Sequence, residues 1–235
     1  MPSCRVITIL FYVFVIIIIV AAGSSYISPT PDEENNTKTT ETVLLGSNEL
    51  GKVARKGPYG NTSSNIEIAY IVGVHPLEYN AHRAIIESIQ NNHYKLKYCY
   101  YIYQVEVRKD ADNYKKGRMN GQLLAREFVV NDIINKDFKL AIDIHSHRGE
   151  YRESRFIFAP VNGGRAEQIA CSIKNHIPWM SYHFPHPQTS PPYVTIPINN
   201  KGIPRVIYET YSYEPYSTTR SHASDFVHQV DNLIF

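Results

Sequence analysis

The chain has little of what marks several large protein classes. Three cysteines in 235 residues are too few for a disulfide scaffold. The formal charge is only +2, from 24 basic and 22 acidic residues, which speaks against a nucleic-acid partner, since such binders normally carry a concentrated basic face. Tryptophan occurs once, internal repeats are absent, and a single long apolar run stands at the N-terminus. What is there is a chain 43% hydrophobic and 20% charged, which excludes wholesale disorder and leaves enough to bury a core. The length suits one domain with an appendage. Tyrosine is abundant, with 18 copies, a composition that suits half-exposed strands and polar clefts.

The apolar run covers residues 6–23 (VITILFYVFVIIIIVAAG) and follows Arg5. It is at the short end of what spans a bilayer, about 17–25 residues, and long for a signal-peptide core of roughly 7–15. Residues 1–23 therefore read as a signal anchor or signal peptide, with the uncleaved anchor preferred. Arg5 stays in the cytoplasm and everything after Ser24 is placed outside. The expected location is the cell membrane, single-pass, with the C-terminal domain outside; cleavage among Ala21, Ala22, Gly23 and Ser24 would release a secreted protein instead. Residues 24–48, rich in Ser, Thr, Asn, Glu and Pro, read as a flexible polar stalk, and residues 49–235 as the folded domain. Asn35 and Asn61 each begin a glycosylation sequon. In an exported domain Cys99 and Cys171 could pair if the fold brings them together.

Beyond the stalk, strand and helix patterns alternate. Strands are predicted over 66–74, 98–107, 139–144, 155–159, 193–198 and 205–209, and helices over 77–90, 121–130, 165–174 and 221–233. Pro76 suits a first helical position. The alternation predicts an α/β domain with a mixed, mostly parallel sheet flanked by helices. Sites in such sheets lie beyond the carboxyl ends of the strands.

Those ends carry the chemistry. The first strand runs into Val74-His75-Pro76-Leu77-Glu78, where His75 and Glu78 can face one centre. The third ends in Asp143-Ile144-His145-Ser146-His147-Arg148. Residues two apart on a strand share a face, so His145 adds a further candidate ligand and Asp143 can hold an imidazole in one tautomer. A late strand delivers Glu209, placed to act as general base on a metal-activated water. Imidazole and carboxylate suit zinc, and a catalytic zinc takes three protein ligands. His82 and Arg83 read as solvated or interhelical, and Trp179 or Tyr182 as candidate substrate contacts in a Pro-rich loop.

With these residues in place the chain resembles the zinc carboxypeptidase superfamily, nearest its succinylglutamate desuccinylase/aspartoacylase branch. The resemblance runs over residues 66–210 through GVHPLE (Gly73 to Glu78), DIH (Asp143 to His145), Arg148 followed by Phe156, Phe158 and Pro160, and Pro204 to Glu209. It implies a zinc-carboxypeptidase-like fold, one zinc per chain held by His75, Glu78 and His145, and Glu209 as general base. The family carries an Asn-Arg pair whose Arg binds the substrate carboxylate; here Asn120 matches the Asn, Gly121 stands at the Arg, and Arg118 lies on the other side of Asn120. Arg118 or Arg148 is then expected to stabilise the oxyanion or bind a substrate carboxylate, with Asn120 assisting. The expected activity is hydrolysis of an amide bond in a peptide or small acylated amine, with a cell-envelope peptide as a candidate substrate. A non-catalytic surface binding or scaffold protein on the same fold is the alternative.

Overall fold

A computed structural model describes residues 39–185 and 191–235. The apolar run 6–23, the Asn35 sequon, most of the stalk and His186 lie outside the described residues.

The chain enters through an antiparallel hairpin, β1 (Glu41–Asn48) and β2 (Gly51–Gly60). Residues 41–48 thus belong to the sheet, and the folded domain begins ahead of the expected boundary at 49. Strand β3 (Glu67–Val72), almost entirely apolar, is buried on both faces, as a central parallel strand must be. A short 3₁₀ turn (Pro76–Glu78) leads into helix α1 (Tyr79–Asn92), with Pro76 in the first turn. Strand β4 (Cys99–Val107) follows. Helix α2 (Tyr114–Leu124) is capped by Asn113, whose Oδ1 accepts from the amides of Lys115 and Lys116 at 3.2 and 3.0 Å. It continues as a π-helical segment, Ala125–Val130, and a last turn, Asn131–Ile133.

Strand β5 spans Phe138–His147, so the Asp143-to-His147 motif lies inside a strand rather than beyond it. After β6 (Phe156–Phe158) come α3 (Arg165–His176), β7 (Ser181–Tyr182), the short α4 (Thr195–Asn199), β8 (Arg205–Tyr211) and α5 (Tyr216–Asp231). A strand was expected over 193–198. Val194, Thr195 and Ile198 are buried as one side of a helical turn instead, because apolar residues at i and i+4 satisfy a helix as well as a strand.

The eight strands form one sheet in the order β1-β2-β4-β3-β5-β8-β6-β7. The four central strands are parallel; the margin through β2 and β1 is antiparallel, and on the other side β6 runs antiparallel to β8 and parallel to β7. Helices α1 and α5 cover one face over Tyr70, Ile85, Ile142 and Phe226. Helix α2 and its extension cover the other over Ile71, Leu124, Val129 and Ile133. Cys99 opens β4 while Cys171 sits on α3 against β6 and β8, with β3, β5 and β8 intervening in the sheet; no disulfide joins them. Among the described residues no helix is long and apolar enough to cross a membrane.

Candidate active site

The carboxyl ends of β3, β5 and β8 are adjacent, and the site is built there. Gly73 ends β3 at φ +85°, and a Cβ on it would fall 2.0 Å from the Val105 carbonyl oxygen. Only glycine makes that turn, which swings the 3₁₀ segment over the end of β5. His75 and Glu78 are buried as a result. Glu78 is the hub: its Oε1 lies 3.0 Å from His75 Nδ1 and its Oε2 3.0 Å from His145 Nδ1. The Ser146 amide donates to Oε2 at 3.0 Å, and the Arg118 guanidinium donates to Oε1. The two imidazole centroids are 4.3 Å apart. One ligating atom from each of His75, Glu78 and His145 lies within 4.8 Å of the others.

The far nitrogens of both rings are also held. The Gln122 side-chain nitrogen lies 3.2 Å from His75 Nε2 and donates to it, which places the His75 proton on Nδ1, facing Glu78. Asp143 Oδ2 lies 3.2 Å from His145 Nε2, and Arg205 Nη2 lies 2.9 Å from the same oxygen. These last contacts are ion pairs at close range rather than aligned hydrogen bonds. In the metal-free protein each Nδ1–H donates to one oxygen of the Glu78 carboxylate, and a cation taking the place of those protons would meet two imidazole lone pairs and the carboxylate. Two imidazole nitrogens and a carboxylate, buried and convergent, are the donor set of a catalytic zinc site, and the residues fit the ion.

Electrostatics agree with this. Burial lowers the His75 pKa to about 4, with Glu78 opposing. Burial would lower His145 too, but Asp143 and Glu78 beside it raise it to about 10. Metal-free protein at pH 7–8 therefore carries a proton on His145 that an incoming cation must displace. Zinc binding is expected to release about one proton per ion in this range and to strengthen with rising pH. Calorimetric titration in buffers of different ionisation enthalpy reads that proton directly; an enthalpy independent of buffer would contradict it.

Glu209 stands beside His145 across the β5–β8 ladder. It lines a cavity of about 480 Å³ with Tyr114, Arg118, Gln122, Ser146 and Tyr151. Its Oε2 is buried without a hydrogen-bond partner among the described residues. Burial, with Glu78 adding and His145 opposing, raises its pKa to about 8.

Helix α2 forms the opposite wall, and its glycines set how close it comes. A Cβ on Gly121 would lie 1.9 Å from the Val74 carbonyl oxygen, and one on Gly117 2.9 Å from that of Asp110. The close approach carries the next residues, Arg118 and Gln122, into the site. It also leaves no room for an arginine at 121. Gly121→Ala is expected to destabilise the protein by about 3 kcal/mol or more, since backbone rather than a flexible side chain must give way. Urea unfolding checks this, and a loss below 1 kcal/mol would show that α2 can move.

The other expected residues fall as follows. Asn120 turns away, its amide donating to the Lys109 carbonyl at 2.8 Å, and it does not line the cavity. Arg148 is exposed at the mouth, its guanidinium 5.0 Å from the Tyr114 ring centroid, with that of Arg118 at 5.1 Å. His147 points along the same face as His145 but is taken up by the loop after it: the Gly149 amide donates to its Nδ1 at 3.2 Å, and its Nε2 donates to the Ser154 carbonyl at 3.1 Å. His82, expected to be solvated or interhelical, is buried and its Nε2 donates to the Ile144 carbonyl at 3.1 Å, clamping α1 to β5 one residue before His145. Trp179 lies over His222 with centroids 4.0 Å apart and donates to Asp225, so it packs on α5 and not in the cleft. Gln122, Tyr114 and Tyr151 are the site residues the sequence did not single out. The available signal was the pair Gly117 and Gly121 at helical spacing, which marks a helix pressed against backbone and so places Arg118 and Gln122 on one face.

By sequence, neither a known protein family nor a curated protein matches the chain. By structure it is similar to a metallo-carboxypeptidase from Burkholderia cenocepacia (TM-score 0.55, 11% identity, 82% of this chain and 64% of that one). It is also similar to a metallo-carboxypeptidase from Pseudomonas aeruginosa solved with (2-guanidinoethylmercapto)succinic acid (TM-score 0.52, 14% identity, 82% and 62%). A third likeness is to the cell shape determinant protein Csd4 from Helicobacter pylori in its apo form (TM-score 0.53, 12% identity, 82% and 54%). The chain thus spans less than two thirds of each of these three. At these identities the likeness is one of fold and does not single out a branch. With its mixed α/β sheet and helices on both faces, the chain has the metallo-carboxypeptidase fold.

Proposed function

We propose that this chain is a zinc-dependent hydrolase of amide bonds, of the carboxypeptidase or deacylase type, with one zinc per chain. The observation that carries this reading is the Glu78 carboxylate, whose two oxygens face the Nδ1 atoms of two buried histidines at 3.0 Å each. His75, Glu78 and His145 would hold the ion. Gln122 and Asp143 fix the ring orientations from behind. A bound zinc ion supplies Lewis acidity toward a carbonyl oxygen and toward water. Glu209 accepts the proton of the attacking water on its carboxylate and hands it to the leaving nitrogen. Its place in the same cavity as Arg118 and Gln122 favours the enzyme over a binding protein on the same fold.

Arg118 and Arg148, gathered around Tyr114 at the mouth, supply positive charge for a developing oxyanion or a substrate carboxylate. Tyr114 is itself tied to Glu150 at 3.2 Å. The substrate is a peptide or small acylated amine, and residues 1–23 hold the domain at the outer face of the cell membrane, where envelope peptides are within reach.

The test is metal content of the full-length protein followed by a screen of peptides and N-acyl amines. Hydrolysis abolished by a chelator and restored by zinc is the expected result. A folded protein that takes up no zinc would refute the reading.

A further inference from the structure

Arg205 is the largest fully buried side chain among the described residues, with no exposed surface. It opens β8, a strand otherwise apolar at its buried positions as far as Tyr208. A guanidinium in such a place is costly, and an apolar side chain of similar volume is the usual alternative. Its ionic contact among the described residues is with Asp143, itself without exposed surface. The contact is selective at the level of atoms: Arg205 Nη2 approaches Asp143 Oδ2 at 2.9 Å, and that same oxygen is the one 3.2 Å from His145 Nε2.

A carboxylate this deep, with only an imidazole for company, is free to rotate and carries an uncompensated charge. The guanidinium fixes which oxygen faces the ring and balances the charge, so that the ring need not. We propose that Arg205 is a positioning residue for the metal centre. Acting through Asp143, it holds the His145 imidazole as the Nε2–H tautomer with Nδ1 turned toward Glu78. No ion pair or hydrogen bond among the described residues joins Arg205 to His75, Glu78 or His145, and its effect is transmitted through one shared oxygen. This rests on the reading that His75, Glu78 and His145 bind zinc.

The experiment is a double-mutant cycle on the full-length protein, with zinc affinity measured by competition against a chelator and folding checked on the metal-free form. The variants are Arg205→Met, Asp143→Asn and the two together. Loss of an outer partner of a metal-ligating histidine weakens binding by about 10- to 100-fold, and Arg205→Met is expected to weaken zinc about 10-fold. The same substitution in the Asp143→Asn background is expected to change affinity less than about twofold, because the route through Asp143 is already cut. A general weakening of the fold would not show that dependence on background.

Where Arg205→Met leaves Asp143 uncompensated and the protein does not fold, Arg205→Lys takes its place. It keeps the charge but loses the planar fork, and about a threefold loss is expected, again only with Asp143 present. Affinity within about twofold of wild type in a folded Arg205 variant, or an equal loss in both backgrounds, overturns the proposal while leaving the zinc site standing. Wild-type protein that binds no zinc overturns both.

Discussion

Glu209→Gln is expected to lower amide hydrolysis by roughly 10³-fold while leaving zinc content at one ion per chain. Glutamine keeps the volume and one acceptor oxygen but cannot carry a proton between water and leaving group. Zinc stays because Glu209 is not among the three residues whose ligating atoms converge. A second readout separates this from general damage. Glu209 in metal-free protein has its pKa raised to about 8 by burial, above its value in the unfolded chain. Folding therefore favours the protonated form, and the residue costs stability as pH rises from the unfolded value through about 8. Metal-free Glu209→Gln is then expected to match wild type near pH 4 and to be more stable at pH 8 and above, by urea unfolding at the two pH values. A catalytic group that weakens its own fold is a common bargain at active sites. Full activity in the glutamine variant would remove Glu209 from the mechanism; lost activity with lost zinc would make it a ligand.

The second large effect is expected at Glu78. It accepts from the Ser146 amide and the Arg118 guanidinium and faces both histidines. Glu78→Gln replaces one acceptor oxygen by an NH₂ that confronts donors, so the isosteric change does two kinds of damage. Zinc affinity is expected to fall at least about 100-fold, the loss of a direct ligand exceeding that of an outer partner. Metal-free stability at pH 7 is expected to fall by about 3 kcal/mol, the usual result of removing one partner from a buried ion pair. Chelator competition and urea unfolding read the two separately. A variant that loses zinc yet keeps its stability would mean that Glu78 serves the metal alone.

The candidate triad is legible because each member is a polar residue at or just past the end of an apolar strand, where burying it without a partner would be prohibitive. His75, Glu78, His145, Asp143 and Glu209 all stand out on that ground. Arg205 and Gln122 did not. Arg205 sits at the start of its strand, far from the end where chemistry is sought. Gln122 is one polar residue among several on a helix with much exposed surface, and its meaning comes only from the neighbouring glycines. The β1–β2 hairpin was missed for another reason. Its strands mix lysine, glycine and polar residues and contain register shifts between Leu44 and Gly46 and between Lys56 and Tyr59, which break the alternation that marks a strand. His82 shows the reverse: polarity on a helix suggests a solvated or interhelical residue, whereas the side chain is buried and donates to the Ile144 carbonyl of β5.

The π-helical stretch between Ala125 and Val130 bears on how this protein can change over time. A π segment absorbs an extra residue within an α-helix without turning the flanking turns out of line. Upstream, Arg118 and Gln122 line the cleft; at its end and beyond, Val129, Val130 and Ile133 are buried against the sheet. The helix therefore holds one residue of slack between its reactive half and its anchoring half. Dropping the exposed Arg126 would wind the stretch into ordinary α-helix and leave both halves facing as they do now. Length variation, usually confined to loops, is available here in the middle of a wall of the active site.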